Sequence, residues 1–146
     1  MSHLGRPEGR KQDKFTLAPV AKELETLIGK SVTFINDCIS TDAFDATANP
    51  RKLYFLRNMI IILTIASGTI ILLENVRFYA EEEGKGVNED GTKFKPESAA
   101  ISKFRESLSQ HGEIYINDAF GCAHRAHSSV VGINHPQRLN KKSVFH

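Results

Sequence analysis

The alternation of apolar and polar positions divides the chain into short elements. Residues 2–14 are polar and carry Gly5, Pro7 and Gly9, so they read as a loop. Thr16 is placed to cap a helix, and Pro19 is tolerated in its first turn. Val20, Leu24, Leu27 and Ile28 then recur at helical spacing, and Gly29 stops the run. "SVTFIND" is β-branched and aromatic, which predicts a strand. Residues 39–58 show no clean period, and Pro50 interrupts them. Residues 59–73, "MIIILTIASGTIILL", are strongly apolar but fall short of the roughly 18 residues a spanning helix needs. Arg57 and Asn58 block extension upstream, and Gly68 with the β-branched residues favours two short buried strands, the second being "GTIILLEN". Residues 79–96 are charged and glycine-bearing and predict a solvated loop. Residues 97–110 predict a helix with Ser98 as cap and Ile101, Phe104 and Leu108 on one face, and "EIYIND" predicts a further strand. No internal repeat or low-complexity tract is present. Helix, glycine and strand in alternation is the rhythm of a layered α/β domain.

Composition narrows this without redirecting it. The 146 residues fit one domain, with 40% hydrophobic and 25% charged residues. A net charge of +2 is too small to point to nucleic acid or a membrane surface. Cys38 and Cys122 are far apart and in no metal-type spacing, which suits a reducing cytoplasm. "MSHLGRPEGR" has no apolar stretch of the kind a secretory signal needs.

Where the positive charges sit is more informative than their sum. Three strands end in "FIND", "LLEN" and "YIND" and run into loops, and in open parallel sheets ligands bind beyond the carboxyl ends of strands. The loop after "LLEN" carries Arg77. The loop after "YIND" carries His124, Arg125 and His127 among the small residues Gly121, Cys122, Ala123, Ala126, Ser128 and Ser129. A third cationic loop, "SHLGRP", holds His3 and Arg6. Guanidinium forks match phosphate and carboxylate oxygens, and histidine adds donors whose charge responds near neutral pH. Small neighbours let an anion approach. Arg6, Arg77 and Arg125 together therefore predict an anion site, whereas Arg10, Arg51, Arg57, Arg105 and Arg138 read as solvated surface charges.

Rival chemistries are weaker. His124 and His127 are three apart and Asp118 offers a third ligand, but an arginine between ligands repels a cation and no HExxH signature exists, so no metal is expected. Ser128, His127 and Asp118 form no G-x-S-x-G elbow. Cys122 has cations nearby that would activate a thiol, yet it reads better as a small packing residue. Asp37 and Asp118 read as loop-positioning groups, and Glu81, Glu82 and Glu83 as a solvated face. There is no Walker-type phosphate loop.

The segments "SHLGRP", "LAPVAKELETLIGKSVTFINDC", "ILLENVRFYAEEEG" and "INDAFGCAHRAHSSVVG" resemble, in order, the N-terminal domain of phosphoglycerate kinase. The resemblance implies an α/β fold, a partial parallel Rossmann-like sheet flanked by helices and lacking the family's first strand. It implies reversible phosphoryl transfer from 1,3-bisphosphoglycerate to ADP, giving 3-phosphoglycerate and ATP in glycolysis, in a monomeric cytoplasmic enzyme that needs neither nucleic acid nor membrane. The family's substrate-binding positions carry over to His3, Leu4, Gly5, Arg6, Arg77 and Arg125, with His124 and His127 in a secondary basic patch. Mg-ATP/ADP belongs to the family's nucleotide domain, which this sequence does not contain.

There are departures. The family's D-F-N strand and a following arginine are expected before "SHLGRP" and are not found. Residues 40–66 depart from the family pattern as an atypical insert, and residues 139–146 as an atypical tail, within a single partial domain spanning 1–146. The expectation is a truncated product or a faulty gene reading that is poorly stable and inactive alone. A non-catalytic anion-binding remnant is the alternative function, and a metal-dependent hydrolase a third.

Overall fold

A computed structural model describes residues 1–48, 53–56, 59–62, 69–117, 119–122, 124–134 and 137–140. The first strand, β1 (Val32–Ile35), lies parallel to β4 (Ile70–Leu73), in the register Val32↔Ile70 to Ile35↔Leu73. Two parallel neighbours with their carboxyl ends level are what the "FIND" and "LLEN" motifs require. A second parallel pair joins β7 (Ile114–Asn117) to β8 (Gln137–Asn140). An antiparallel hairpin of β2 (Leu53–Leu56) and β3 (Met59–Ile62) falls in sequence between β1 and β4, and a smaller one of β5 (Gly86–Val87) and β6 (Lys93–Phe94) between β4 and β7. Residues 49–52, 57–58 and 63–66 of the 40–66 stretch, the tail from 141 onward, and Asp118 lie outside the described residues.

The helix α1 (Ala18–Ile28) closes on Gly29, whose left-handed φ of 67° lets its N–H reach Glu25 O. Helix α2 (Thr41–Ala48) occupies sequence in which periodicity predicted nothing, with Asp37 Oδ1 accepting from Ile39 and Ser40 N–H in the loop before it. Helix α4 (Ser98–Ser109) buries Phe104 and Leu108 on the face its spacing predicted. Those two side chains join Cys38, Ala43, Leu73, Val76 and Ile133 in the core. Ser98 is the first helical residue rather than its cap; Glu97 precedes it and makes no side-chain capping bond.

The acidic stretch departs most from expectation. Residues 80–83 form α3 (Ala80–Glu83) and the rest contains the β5–β6 hairpin, so 79–96 is not one solvated loop. Glu82 is buried, not part of a solvated face. It accepts from the N–H and hydroxyl of Ser129 in α5 (Ser128–Val131). Arg105 is half-buried rather than solvated, and its Nε donates to Ser128 Oγ at 3.1 Å; Arg10 is half-buried too. A buried carboxylate survives only when its oxygens are satisfied, and these bonds tie α3, α4 and α5 together.

Candidate functional site

The turn after β4 builds the site from the inside. Glu74 and Asn75 are buried, at 2% and 0% exposure, and each spends its polar atoms on the N-terminal segment. Glu74 accepts from Leu17 N and Asn75 N, both at 2.8 Å, and from Thr16 Oγ1 at 2.7 Å. Thr16 therefore serves the turn more than the helix, its oxygen lying 3.3 Å from Ala18 N. Asn75 Nδ2 donates to Leu4 O at 2.8 Å and Phe15 O at 2.9 Å, while its Oδ1 accepts from Arg77 N. The "EN" of "LLENVR" is thus a clamp that seats the "SHLGRP" loop beside the strand end.

Arg77 is gripped by the same loop on two sides. Its Nη1 donates to Gly5 O at 2.8 Å, and its carbonyl accepts from Gly9 N. Gly5 and Gly9 have φ of 63° and 78°, and a Cβ at Gly9 would meet the Ala80 backbone at 2.9 Å. Only glycine fits both demands there. On its other side Arg77 Nη2 lies 3.6 Å from Cys122 Sγ, which in turn lies 3.5 Å from His3 Nε2. Arg77 Nε is 3.1 Å from Glu83 Oε1, an ion pair whose angle is not that of a hydrogen bond. Cys122 thereby joins the loop after β7 to the "SHLGRP" loop.

The two other cationic loops meet this arginine. His3 is half-buried and His127 buried, and burial is the first cause that holds both imidazoles below their ordinary value of 6.5. Arg77 and Arg125 push both rings down further, Glu83 pushes both up, and His3 itself acts on His127. Charges act this way only at close quarters, so His3, Arg77, Glu83, Arg125 and His127 share one electrostatic neighbourhood. His127 Nδ1 also lies 3.7 Å from Glu82 Oε1, while burial lowers the ring's proton affinity.

The predicted residues fall into two sets. Arg77 is 7% exposed and occupied by protein partners, so it supplies positive charge from below. Arg125 and His124 are exposed. Arg6 is exposed as well, its backbone held between Gly5 and the buried Pro7, but no described contact joins its side chain to the others. Leu4 contributes its carbonyl and leaves its side chain exposed. Residue-type reasoning passed over Glu74, Asn75, Glu82 and Glu83. The signal available was their adjacency to Arg77 and to the small-residue loop.

Among the described residues no three His, Cys, Asp or Glu side chains converge on a point that would hold a metal ion, and no helix is long and apolar enough to cross a membrane.

The comparisons with known proteins agree with this geometry. A family model described as phosphoglycerate kinase matches residues 1–140. A probable phosphoglycerate kinase of Caenorhabditis elegans is 54% identical over 140 residues, covering 96% of this chain and 30% of that protein. Phosphoglycerate kinase 1 of Rattus norvegicus is 52% identical over 139 residues, covering 94% of this chain and 30% of its own length. The solved structure of phosphoglycerate kinase from Coxiella burnetii superposes with a TM-score of 0.59 at 28% identity, over 95% of this chain and 27% of that one. The chain thus spans about 30% of the length of the curated relatives it matches. With the match running through all three cationic loops, the chain belongs to the phosphoglycerate kinase family.

Proposed function

We propose that this chain carries the phosphoglycerate side of reversible phosphoryl transfer between 1,3-bisphosphoglycerate and ADP, with 3-phosphoglycerate as the ligand it holds. What supports the reading is the chain of contacts from Arg77 through Cys122 to His3 at the carboxyl end of β4, with Arg125 and His127 within electrostatic range and Arg6 one residue from Arg77's partner Gly5. Arg77 sets a fixed positive potential. Arg125 and Arg6, both exposed, offer forks to the phosphate and carboxylate oxygens. The two imidazoles, whose proton affinity burial lowers, become better proton acceptors once a dianion arrives, because negative charge favours their charged form. A monomer acting in the cytoplasm is part of the same reading.

The residues described do not fit a Mg-nucleotide: no carboxylate group gathers for the metal, and no glycine-rich phosphate loop is present. No step is therefore derived through ADP or ATP, and the isolated chain is expected to bind without turning over. Phosphoryl transfer depends on aligning donor and acceptor and on neutralising the moving group.

Calorimetric titration tests this. 3-Phosphoglycerate should bind saturably and more weakly as salt rises, while Mg-ADP should not bind. Arg125→Ala should weaken the first by about tenfold or more, as loss of a charge-assisted fork does. Absence of 3-phosphoglycerate binding, or full binding by the variant, overturns the assignment of the site; turnover in a coupled assay overturns the expectation of inactivity.

A further inference from the structure

The three cationic loops all rest on one short helix, α3. Ala80 receives the first loop: a Cβ at Gly9 would lie 2.9 Å from Ala80 Cα. Glu83 receives the second, its Oε1 standing 3.1 Å from Arg77 Nε. Glu81 and Glu82 receive the third. Ser128 Oγ donates to Glu81 O at 2.7 Å. Glu82 takes both bonds that Ser129 can give, from the N–H at 2.9 Å and from the hydroxyl at 2.5 Å. From α4, Arg105 Nε donates to Ser128 Oγ at 3.1 Å, and its stem lies so close to Gly132 that a Cβ there would meet Arg105 Cγ and Cδ at 2.4 Å. Arg125 and His127 stand just upstream of these two serines in the chain.

Glu82 is an odd residue for this place if charge alone is considered. It is 2% exposed, so its carboxylate has lost its water and is tolerable only because its oxygens are satisfied. It also lies 3.7 Å from His127 Nδ1, where a negative charge lowers the potential that draws an anion. What the carboxylate supplies is geometry: two charge-assisted bonds to one residue fix both the place and the direction of the first turn of α5. We propose that Glu82 is a positioning residue for the anion site, holding Ser129 so that the loop carrying Arg125 and His127 stays in register with Arg77. This role rests on the phosphoglycerate reading for its ligand, and on the bonds of α3 for its geometry.

Position and charge predict opposite results, which makes the role testable. In Glu82→Gln one of the two Ser129 donors faces an NH2 group, while a negative charge is lost. Calorimetry on the whole chain, with circular dichroism showing each variant folded, should find 3-phosphoglycerate bound about fivefold more weakly, the loss expected when a charge-assisted bond goes. Charge alone would tighten it. Ser129→Ala, which leaves Glu82 charged, should weaken binding about threefold, and Ser129→Thr, which keeps the hydroxyl, should restore it. The titration of His3 followed by NMR needs no ligand. Arg125 helps hold this ring's proton affinity down, and none of the described contacts joins it to Glu82. Release of the Arg125 loop in Glu82→Gln should move the His3 titration up, whereas loss of a negative charge alone moves it down. Equal or tighter binding by folded Glu82→Gln, or a His3 titration that stays or falls, overturns the positioning role and leaves the anion site standing. So does a Ser129→Ala chain that loses stability but binds as before. A wild-type chain that does not bind 3-phosphoglycerate overturns the ligand assignment instead, and the His3 titration then decides the positioning role. Should Glu82→Gln fail to fold, the Ser129 pair decides it.

Discussion

Asn75 serves three backbone groups from one side chain, and two of them belong to a segment some 60–70 residues away. Removing the amide strands the carbonyls of Leu4 and Phe15 and the N–H of Arg77 in a buried place. Asn75→Ala is therefore expected to cost about 2–4 kcal/mol in urea unfolding, several times a typical solvent-facing hydrogen bond. Gly9→Ala should be nearly as damaging for a different reason. Its φ of 78° is strained for alanine, and the new methyl meets Ala80 at 2.9 Å. A loss of about 2 kcal/mol or more is expected, with weaker phosphoglycerate binding because Gly9 N–H anchors Arg77's carbonyl. Arg125→Ala supplies the contrast. The side chain is exposed, so its unfolding midpoint should hold within about 0.5 kcal/mol while anion affinity falls. These residues differ in legibility. Arg125 stands out in the sequence because it is charged and set among small neighbours, whereas Asn75's importance lies in partners that only the fold brings near.

Helices are where periodicity worked and where it stopped. α4 was legible because Phe104 and Leu108 are four apart and both sink into the core, at 3% and 2% exposure. Phe104→Ala should cost about 3–5 kcal/mol by urea denaturation, the range for deleting a buried aromatic. α1 was equally legible as a helix, yet its apolar spacing did not reveal burial: Leu27 is 75% exposed and Ile28 44%, and only Ala21 is buried. Its stop was better specified. Gly29 has φ 67° and open space around its Cβ position, so Gly29→Asn should be nearly neutral and Gly29→Val should cost about 1–2 kcal/mol. α2 and α3 were missed. α2 has mixed polarity over eight residues, and α3 consists of one alanine and three glutamates. Glu82 can be buried because Ser129 satisfies its oxygens, a fact about a helix 47 residues on.

At the scale of the molecule the buried histidines set a pH dependence. His3, His111 and His127 are all held below 6.5, with burial as the first cause in each. Unfolding returns them to that ordinary value. Between the lowered folded value and 6.5 the unfolded chain binds more protons, so stability rises with pH through this window and is lost on acidification. Above it these rings contribute no slope. Glu82 acts oppositely, since burial raises its value above 4.5, but its window opens at lower pH. Urea midpoints should therefore decline as pH falls below about 6.5. Binding of 3-phosphoglycerate near pH 6 should take up protons, visible as a buffer-dependent enthalpy in calorimetry.

The chain's own order of residues determined that this is an α/β protein, which segments form its main strands and its longer helices, and that two cationic loops follow strand ends with a third in "SHLGRP". Those properties are local: side-chain period, turn chemistry and charge at fixed spacing act over a few residues. Only the tertiary structure decided that Arg77 is buried and engaged while Arg125 is open, and that Glu74 and Asn75 hold the first loop in place. Burial and electrostatic neighbourhood depend on which distant segments meet, and no short window of sequence contains both members of such a meeting.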